Sequence, residues 1–325
     1  MQYKEFGNTG IKVSAVGLGT WQIGGPATLG GNQIGWGEMT DTRAADILNT
    51  AFDQGITFFD TADVYGKGKS EELIGKVLKD RRDKIVIASK YGNRETEEGK
   101  WFKDLSAAWM VECLEGSLKR LQMDYVDFYM LHSPNADYEI DDEVVEALEK
   151  QKALGKIRSW GISLIPNGRG ILPADQGLNF IKSGKPCDFF MLRYNMLERE
   201  PEAEFFPACR EKNIGVIARV PLASGFLAGK YGEDISFPAN DLRSNMSREK
   251  IVELVRKVEK LKFLAAKASG SLAQAALKFC AQNPAVSTVI PGGKSPEQVI
   301  QNARAVDIAD FTPEDFAKID EILQA

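Results

Sequence analysis

The chain has one histidine, His132, in 325 residues. Its four cysteines, Cys113, Cys187, Cys209 and Cys280, are scattered and form no CxxC pair. That scarcity argues against a zinc enzyme, which draws its ligands from clustered His and Cys; no metal is expected. Positive charge is also short: 41 Lys and Arg against 46 Asp and Glu give a formal net charge of −5, which argues against a nucleic-acid partner. No apolar run approaches the roughly 18–20 residues that span a bilayer. The opening MQYKEFGNTGIKVS lacks the charged-then-apolar pattern of a signal peptide. A cytoplasmic protein with reduced thiols and no membrane partner is the expectation. Two nucleotide-binding patterns fail as well. GLGTWQIG has Gln22 where the third glycine of a dinucleotide fingerprint belongs, and the segment ending GKGKS has Asp63 where a phosphate loop needs its first glycine.

Hydrophobic residues at 43% and charged residues at 27% describe an ordinary globular chain able to bury a sizeable core. Short apolar runs alternate with longer amphipathic segments throughout. AVGLGT, TFFDTA, KIVIASK, VDFYMLH, SWGIS, DFFMLRYN, IGVIARV and STVIPG are apolar on both parities, as strands buried on both faces of a parallel sheet are. Between them lie helical patterns. SEELIGKVLKD starts with Ser70 as its expected N-cap, AAWMVECLEGSLKRLQ repeats Val111, Leu114, Leu118 and Leu121 at helical spacing, and DDEVVEALEKQKALGK stops near Gly155. Eight such units in one chain are the size of a (β/α)8 TIM barrel, although a doubly wound sheet would alternate in the same way. No linker, repeat or low-complexity segment interrupts residues 1–325, so one domain is expected. YKEFGNTGIKVS reads as an N-terminal hairpin able to cap the closed end of a barrel, and a helical segment closes the chain. The loop WQIGGPATLGGNQIGWGE is long and Gly-rich, and loops of that length are often functional.

In a barrel, chemistry collects where strands end. Four runs end in polar residues: Asp60 after TFF, Lys90 after IVIAS, His132 after VDFYML and Ser163 after SWGI. Tyr65 follows Asp60 closely enough to reach the same rim. A phenol ionises near pH 10, and a neighbouring ammonium favours the phenolate and lowers that value. A carboxylate would hold the ammonium, and an imidazole beside the phenol would orient a substrate oxygen or relay a proton. Together these make a general acid suited to protonating a carbonyl oxygen.

FDTADVYG, the following strand-end Lys and LHSP together resemble the aldo-keto reductase family, and the likeness runs from GLGTW to VIPGGKSPEQVIQN. The resemblance implies that Tyr65 is the general acid, Lys90 lowers its pKa, Asp60 pairs with Lys90, and His132 orients the carbonyl. It also implies an extended nicotinamide dinucleotide across the barrel mouth. In PGGKSPEQVIQN, Ser295 and Pro296 suit the N-cap and first position of a helix whose N-terminus favours an anion. By resemblance, Lys294 beside that helix start meets a 2′-phosphate, Gln298 and Asn302 meet adenine, and NADPH is favoured over NADH. Pro221, Leu222, Ser224, Gly225 and Lys230 in RVPLASGFLAGKY match a loop folding over the pyrophosphate, and Arg243 matches an arginine on the adenosine. Thr20, Trp21, Asp60, Ser163, Arg219 and Gly292 complete the cofactor assignment, with Trp21 also lining the substrate pocket.

Three positions depart from the family pattern. Leu164 stands for an Asn and Met191 for a Gln that would hold the nicotinamide amide, and Arg219 stands where an aromatic often stacks on the ring. A guanidinium stacks too, and it could draw an acidic substrate group. The expected activity is NADPH-dependent reduction of an aldehyde or ketone. The alternatives are NADP+-dependent oxidation of a sugar, polyol or other alcohol, and, because the sequence also resembles the cytoplasmic β-subunits of potassium channels, a redox-sensing regulatory subunit. A small-molecule substrate and a possible homo-oligomer are the expected partners.

Overall fold

Strands buried on both faces send alternate side chains into two different cores, and that alternation organises the molecule. The computed structural model describes residues 1–135, 137–165, 172–238, 241–268 and 270–324. It opens with a hairpin, β1 (Tyr3–Glu5) antiparallel to β2 (Lys12–Ser14). Strand β3 (Leu18–Gly19) leads into the long loop, which carries a small ribbon of β4 (Thr28–Leu29) and β5 (Asn32–Gln33), and then into α1 (Asp41–Asp53). Next come β6 (Phe58–Asp60), α2 (Lys69–Leu78) and β7 (Val86–Tyr91). A rim hairpin of β8 (Asn93–Glu95) and β9 (Trp101–Lys103) precedes α3 (Ala107–Leu121). The alternation continues through β10 (Val126–His132), α4 (Asp142–Ala153), β11 (Ile157–Ser163), α5 (Pro173–Ser183), β12 (Phe189–Arg193) and α6 (Phe205–Glu211). It finishes with β13 (Gly215–Arg219), α7 (Arg248–Leu261), α8 (Leu272–Gln282), β14 (Thr288–Ile290), α9 (Pro296–Ala303) and α10 (Pro313–Gln324).

The sheet order β3-β6-β7-β10-β11-β12-β13-β14 is parallel throughout. Parallel bridges Val16 to Val289 and Gly19 to Gly292 join its two edges, and the Gly17 amide donates to the Val289 carbonyl at 2.8 Å. The result is a (β/α)8 barrel, and the doubly wound alternative is excluded by that closure. The first hairpin plugs the lower end. Phe6 lies 4.3 Å from Phe128, 5.7 Å from Phe189 and 6.2 Å from Phe58, centroid to centroid. With Val86, Ala88, Met130, Met191, Ile217 and Ile290 it fills the interior. The intervening residues, such as Ile87, Tyr129, Leu131, Phe190 and Leu192, face the helices.

Several α-helix starts follow the capping rule through the residue just before the helix: the side chains of Thr40, Ser106, Ser247, Ser271 and Ser295 each accept from the amide three residues on. Ser70 departs from its expected role. Helix α2 is capped by Gly68 in the left-handed region, and Ser70 is buried inside the first turn. Its hydroxyl lies 2.7 Å from the Thr20 hydroxyl and accepts from Thr61 at 3.0 Å. A small polar residue beside a buried hydroxyl pair reads like a cap in sequence, but here it pins the helix under the barrel mouth. In α3, Leu114, Leu118 and Leu121 are buried with Met110, while Val111 is half-buried. No described helix is long and apolar enough to cross a membrane.

Candidate active site

One two-residue step above the apolar plug, the same strand faces turn polar. Phe58 is followed inward by Asp60, Ala88 by Lys90, Met130 by His132, Gly161 by Ser163, Met191 by Arg193, and Ile217 by Arg219. The strands therefore deliver a ring of polar groups to the C-terminal rim. Tyr65 joins from the turn after β6. That turn sits against the backbone of residues 21–24: a Cβ on Gly66 would lie 2.2 Å from the Gly24 carbonyl oxygen, and one on Gly24 would lie 2.7 Å from the Gly66 nitrogen. Gly66 also has φ of 63°, so only glycine suits both the contact and the turn.

Lys90, 1% exposed, donates to Asp60 Oδ1 at 2.7 Å, to the Thr61 carbonyl at 2.6 Å and to the Tyr65 hydroxyl oxygen at 3.2 Å. An ammonium has three protons and no lone pair, so all three are engaged and Tyr65 is the acceptor. Its own phenolic proton is left to point elsewhere. Thr20, fully buried, donates its hydroxyl to the Asp60 carbonyl at 2.8 Å and braces the strand end. Trp21 stacks on Tyr65 at 6.0 Å, and His132 meets the phenol edge-on at 6.0 Å.

The electrostatics correct one expectation. Lys90 does pull the Tyr65 pKa down, but burial outweighs it, and with the Asp60 carboxylate nearby the phenol ends above its ordinary value. Burial likewise pushes Asp60 up against the pull of Lys90. His132 is driven well below the usual imidazole value by burial and by Lys90, Lys103 and Arg219, so its ring is neutral.

The remaining predicted residues line the mouth. Ser163 pairs in register with His132. Arg219 donates to the Leu164 carbonyl at 3.0 Å, while burial and the neighbouring Arg193 lower its pKa to about 10. Met191 belongs to the apolar plug and Leu164 to the outer core, so neither offers a polar group here. Beyond β13, Val220, Ala223, Ser224 and Gly225 all have positive φ, from 45° to 93°; three are not glycine, and such strain collects at ligand clamps. Pro221 and Leu222 lie within this strap. Arg243 ties it down, donating to the Ser224 carbonyl at 3.1 Å and the Tyr231 hydroxyl at 2.7 Å while forking onto Asp241. Lys230, at the strap's far end, is exposed and lies over Tyr231.

Lys294 and Arg243 both lie over Trp36, at 5.2 Å and 5.7 Å. Ser295 caps α9 as expected. Gln298 accepts from the Lys294 amide at 2.9 Å, and Asn302 donates to the Gly292 carbonyl at 3.2 Å. These two amides thus shape the turn before α9. Among the described residues no cluster of three or more His, Cys, Asp or Glu is arranged to hold a metal, and all four cysteines are free.

Sequence reasoning passed over several residues at this mouth. Arg193 shares the inward parity of Arg219, which would have found it. Trp36 was one aromatic in a long loop, and Gly24, Gly66, Asn93, Trp101 and Lys103 carried no local signal. A carbonyl oxygen brought between Tyr65 and His132 would meet a protonated phenol and a neutral imidazole, and the cationic strap and Lys294 suit a long anionic ligand.

A family model described as the Aldo/keto reductase family matches residues 15–324. A protein of Oryza sativa subsp. japonica named as a probable voltage-gated potassium channel subunit beta is 34% identical over all of this chain and 97% of its own length. Aldo-keto reductase YhdN of Bacillus subtilis is 31% identical over 92% of this chain and 87% of its own. Among solved structures, the glycerol dehydrogenase AKR11B4 from Gluconobacter oxydans superposes with a TM-score of 0.83 at 29% identity, covering 99% of this chain and 94% of that one. The holo form of aldo-keto reductase AKR11C1 from Bacillus halodurans gives 0.77 at 31% identity, with 99% and 96% coverage.

Proposed function

Because this chain belongs to the aldo-keto reductase family, a family of oxidoreductases that generally use nicotinamide cofactors, we propose that it reduces an aldehyde or ketone to the alcohol with NADPH, and that Tyr65 is the general acid. The bound cofactor would supply the hydride to the carbonyl carbon. Tyr65 then gives its proton to the carbonyl oxygen, His132 holds that oxygen in line, and Lys90 and Asp60 hold Tyr65. The observation that carries this assignment is the exhaustion of the Lys90 protons on Asp60, Thr61 and Tyr65: the phenol accepts from below and keeps its own proton for the mouth. With its pKa above the ordinary phenol value, Tyr65 carries its proton at neutral pH, as a proton donor must before transfer.

A fit to NADPH is supported by the donor set rather than by one contact. Arg243, Lys294 and Lys230 bring three cations to one side of the mouth of an acidic protein, the strained strap lies beside them, and α9 directs its N-terminus there. Lys294, exposed and free of an acidic partner within salt-bridge reach among the described residues, suits a 2′-phosphate. Thr20, Trp21, Asp60, Ser163, Arg219, Pro221, Leu222, Ser224, Gly225, Gly292, Gln298 and Asn302 complete the proposed contacts. We read residues 1–325 as one such unit, working in the cytoplasm, with a possible homo-oligomeric assembly.

The experiment follows NADPH absorbance with a reactive aromatic aldehyde in wild type and Tyr65→Phe. Sustained turnover that falls roughly 10²–10⁴-fold in the variant supports the proposal; equal rates would sink Tyr65 as the acid. The likeness to a glycerol dehydrogenase favours the same site run toward alcohol oxidation, which NADP+ with a polyol tests. The likeness to a protein named as a channel subunit favours a sensing role, whose signature is tight cofactor binding without repeated turnover.

A further inference from the structure

The rim hairpin β8–β9 reaches the histidine from the side away from any role so far described. Asn93 is 8% exposed and starts β8. Its side-chain oxygen accepts from Lys103 Nζ at 2.8 Å and from Trp101 Nε1 at 3.2 Å. An ammonium and an indole N–H can only donate, so two donor-only neighbours leave the amide one orientation. Its NH2 group then faces His132 Nδ1 at 3.1 Å. Lys103 also donates to the His132 backbone carbonyl at 2.6 Å, which ties the end of β10 to the same amide. An NH2 group has no lone pair to offer, so Nδ1 must be bare. A proton there would set donor against donor in a partly buried site, and an unmade bond of this kind is costly.

We propose that Asn93, held by Lys103 and Trp101, is a positioning residue that fixes His132 as the tautomer protonated at Nε2, so that its opposite edge donates a hydrogen bond to the substrate oxygen and cannot accept one. The hydrogen-bond accounting stands on this hairpin alone; the consequence for the substrate rests on the proposed function. The hairpin is itself anchored to the catalytic turn and the first loop, because Glu95 pairs with Lys67 at 2.9 Å and accepts from the Gly30 amide at 2.9 Å. A tautomer set this way costs no proton uptake at neutral pH, because the ring is already neutral.

The lone histidine makes the test unambiguous. The full chain labelled with 15N-histidine gives ring-nitrogen signals from one residue, and their shifts separate protonated from bare nitrogen. Wild type should show bare Nδ1 and protonated Nε2 from pH 6 to 8. Asn93→Asp replaces the donor with an acceptor and should move the proton to Nδ1, with kcat falling roughly tenfold or more and KM for NADPH unchanged. Asn93→Ala, retained in case the carboxylate unfolds the hairpin, should give exchanging tautomers in a folded protein whose Tm is lowered by the loss of an acceptor for Lys103 and Trp101. Protonated Nδ1 in wild type, or an unmoved proton in both variants, would overturn the proposal. A moved proton with unchanged turnover would uphold the tautomer and instead sink His132 as the carbonyl donor.

Discussion

The two ends of this barrel mouth hold their cations in opposite ways. At one end Lys90 is buried, satisfied on all three protons, and locked to a buried carboxylate. At the other, Lys294 is exposed, lies over the Trp36 ring and, without a salt bridge among the described residues, acts on the Asp241 carboxylate only at longer range. Burial strengthens every charge interaction and makes every unpaired one costly. The inner end is therefore rigid and suited to chemistry that tolerates little misplacement. The outer end keeps its charge in water, where it attracts an anion with little reorganisation and is weakened by salt. Arg243 stands between the two regimes, partly buried and forked onto Asp241, and it holds the strap to the rim.

The largest break in this contrast should come from Lys90→Met. It leaves Asp60 buried without its partner, a loss of about 3–5 kcal/mol for a broken buried pair, and it removes the group that holds Tyr65. Urea unfolding and turnover should both collapse, whereas Lys294→Met should shift stability by less than about 0.5 kcal/mol. Comparable stability in the two variants would erase the distinction between the ends.

Arg243→Ala comes next. It frees the Ser224 carbonyl and the Tyr231 hydroxyl together and strands Asp241, so the strap loses its tie. KM for NADPH should rise roughly tenfold or more, as for the loss of hydrogen bonds to a charged group, while kcat at saturation holds. A fall in kcat with KM fixed would mean that the strap governs the chemistry instead. Lys294→Ala sharpens the outer end further. NADPH should weaken several-fold, NADH should not change, and the gap should close as salt rises. Equal losses for both cofactors would remove Lys294 from the 2′-phosphate.

The inner end was the more legible in sequence, and the reason is physical. Strand periodicity fixes which residue at a strand end points inward, so Asp60, Lys90, His132 and Ser163 followed from runs of apolar residues. The hairpin plug was visible for a similar reason, since Asn8-Thr9-Gly10 announces its own turn. What escaped depends on contacts between distant segments. The Gly24–Gly66 approach joins two loops, Asn93 gains meaning only from Trp101 and Lys103 across a ribbon, and Ser70 looked like a cap until its partners Thr20 and Thr61 were known. The shift of Tyr65 was read with the wrong sign because an ammonium neighbour can be guessed from sequence, while the depth of burial that outweighs it cannot.

A pH-dependent test asks whether burial also governs the turn that carries Tyr65. Asp63 lies two residues before it, and burial pushes its carboxyl up to about 7, with Glu71 adding repulsion and Cys113 and Arg120 pulling the other way. Its ordinary value is near 3.8, so between about pH 4 and 7 the folded protein binds a proton that the unfolded chain has released. Stability from this group is therefore full below pH 4 and is lost as pH rises through 7. Asp63→Asn keeps the shape and removes the titration. The Tm advantage of the variant over wild type should grow steadily from pH 4 to pH 7 and then level off. A constant difference across that range would mean that Asp63 ionises as an ordinary surface carboxylate, and that the rigid inner end stops at Tyr65 rather than extending down its supporting turn.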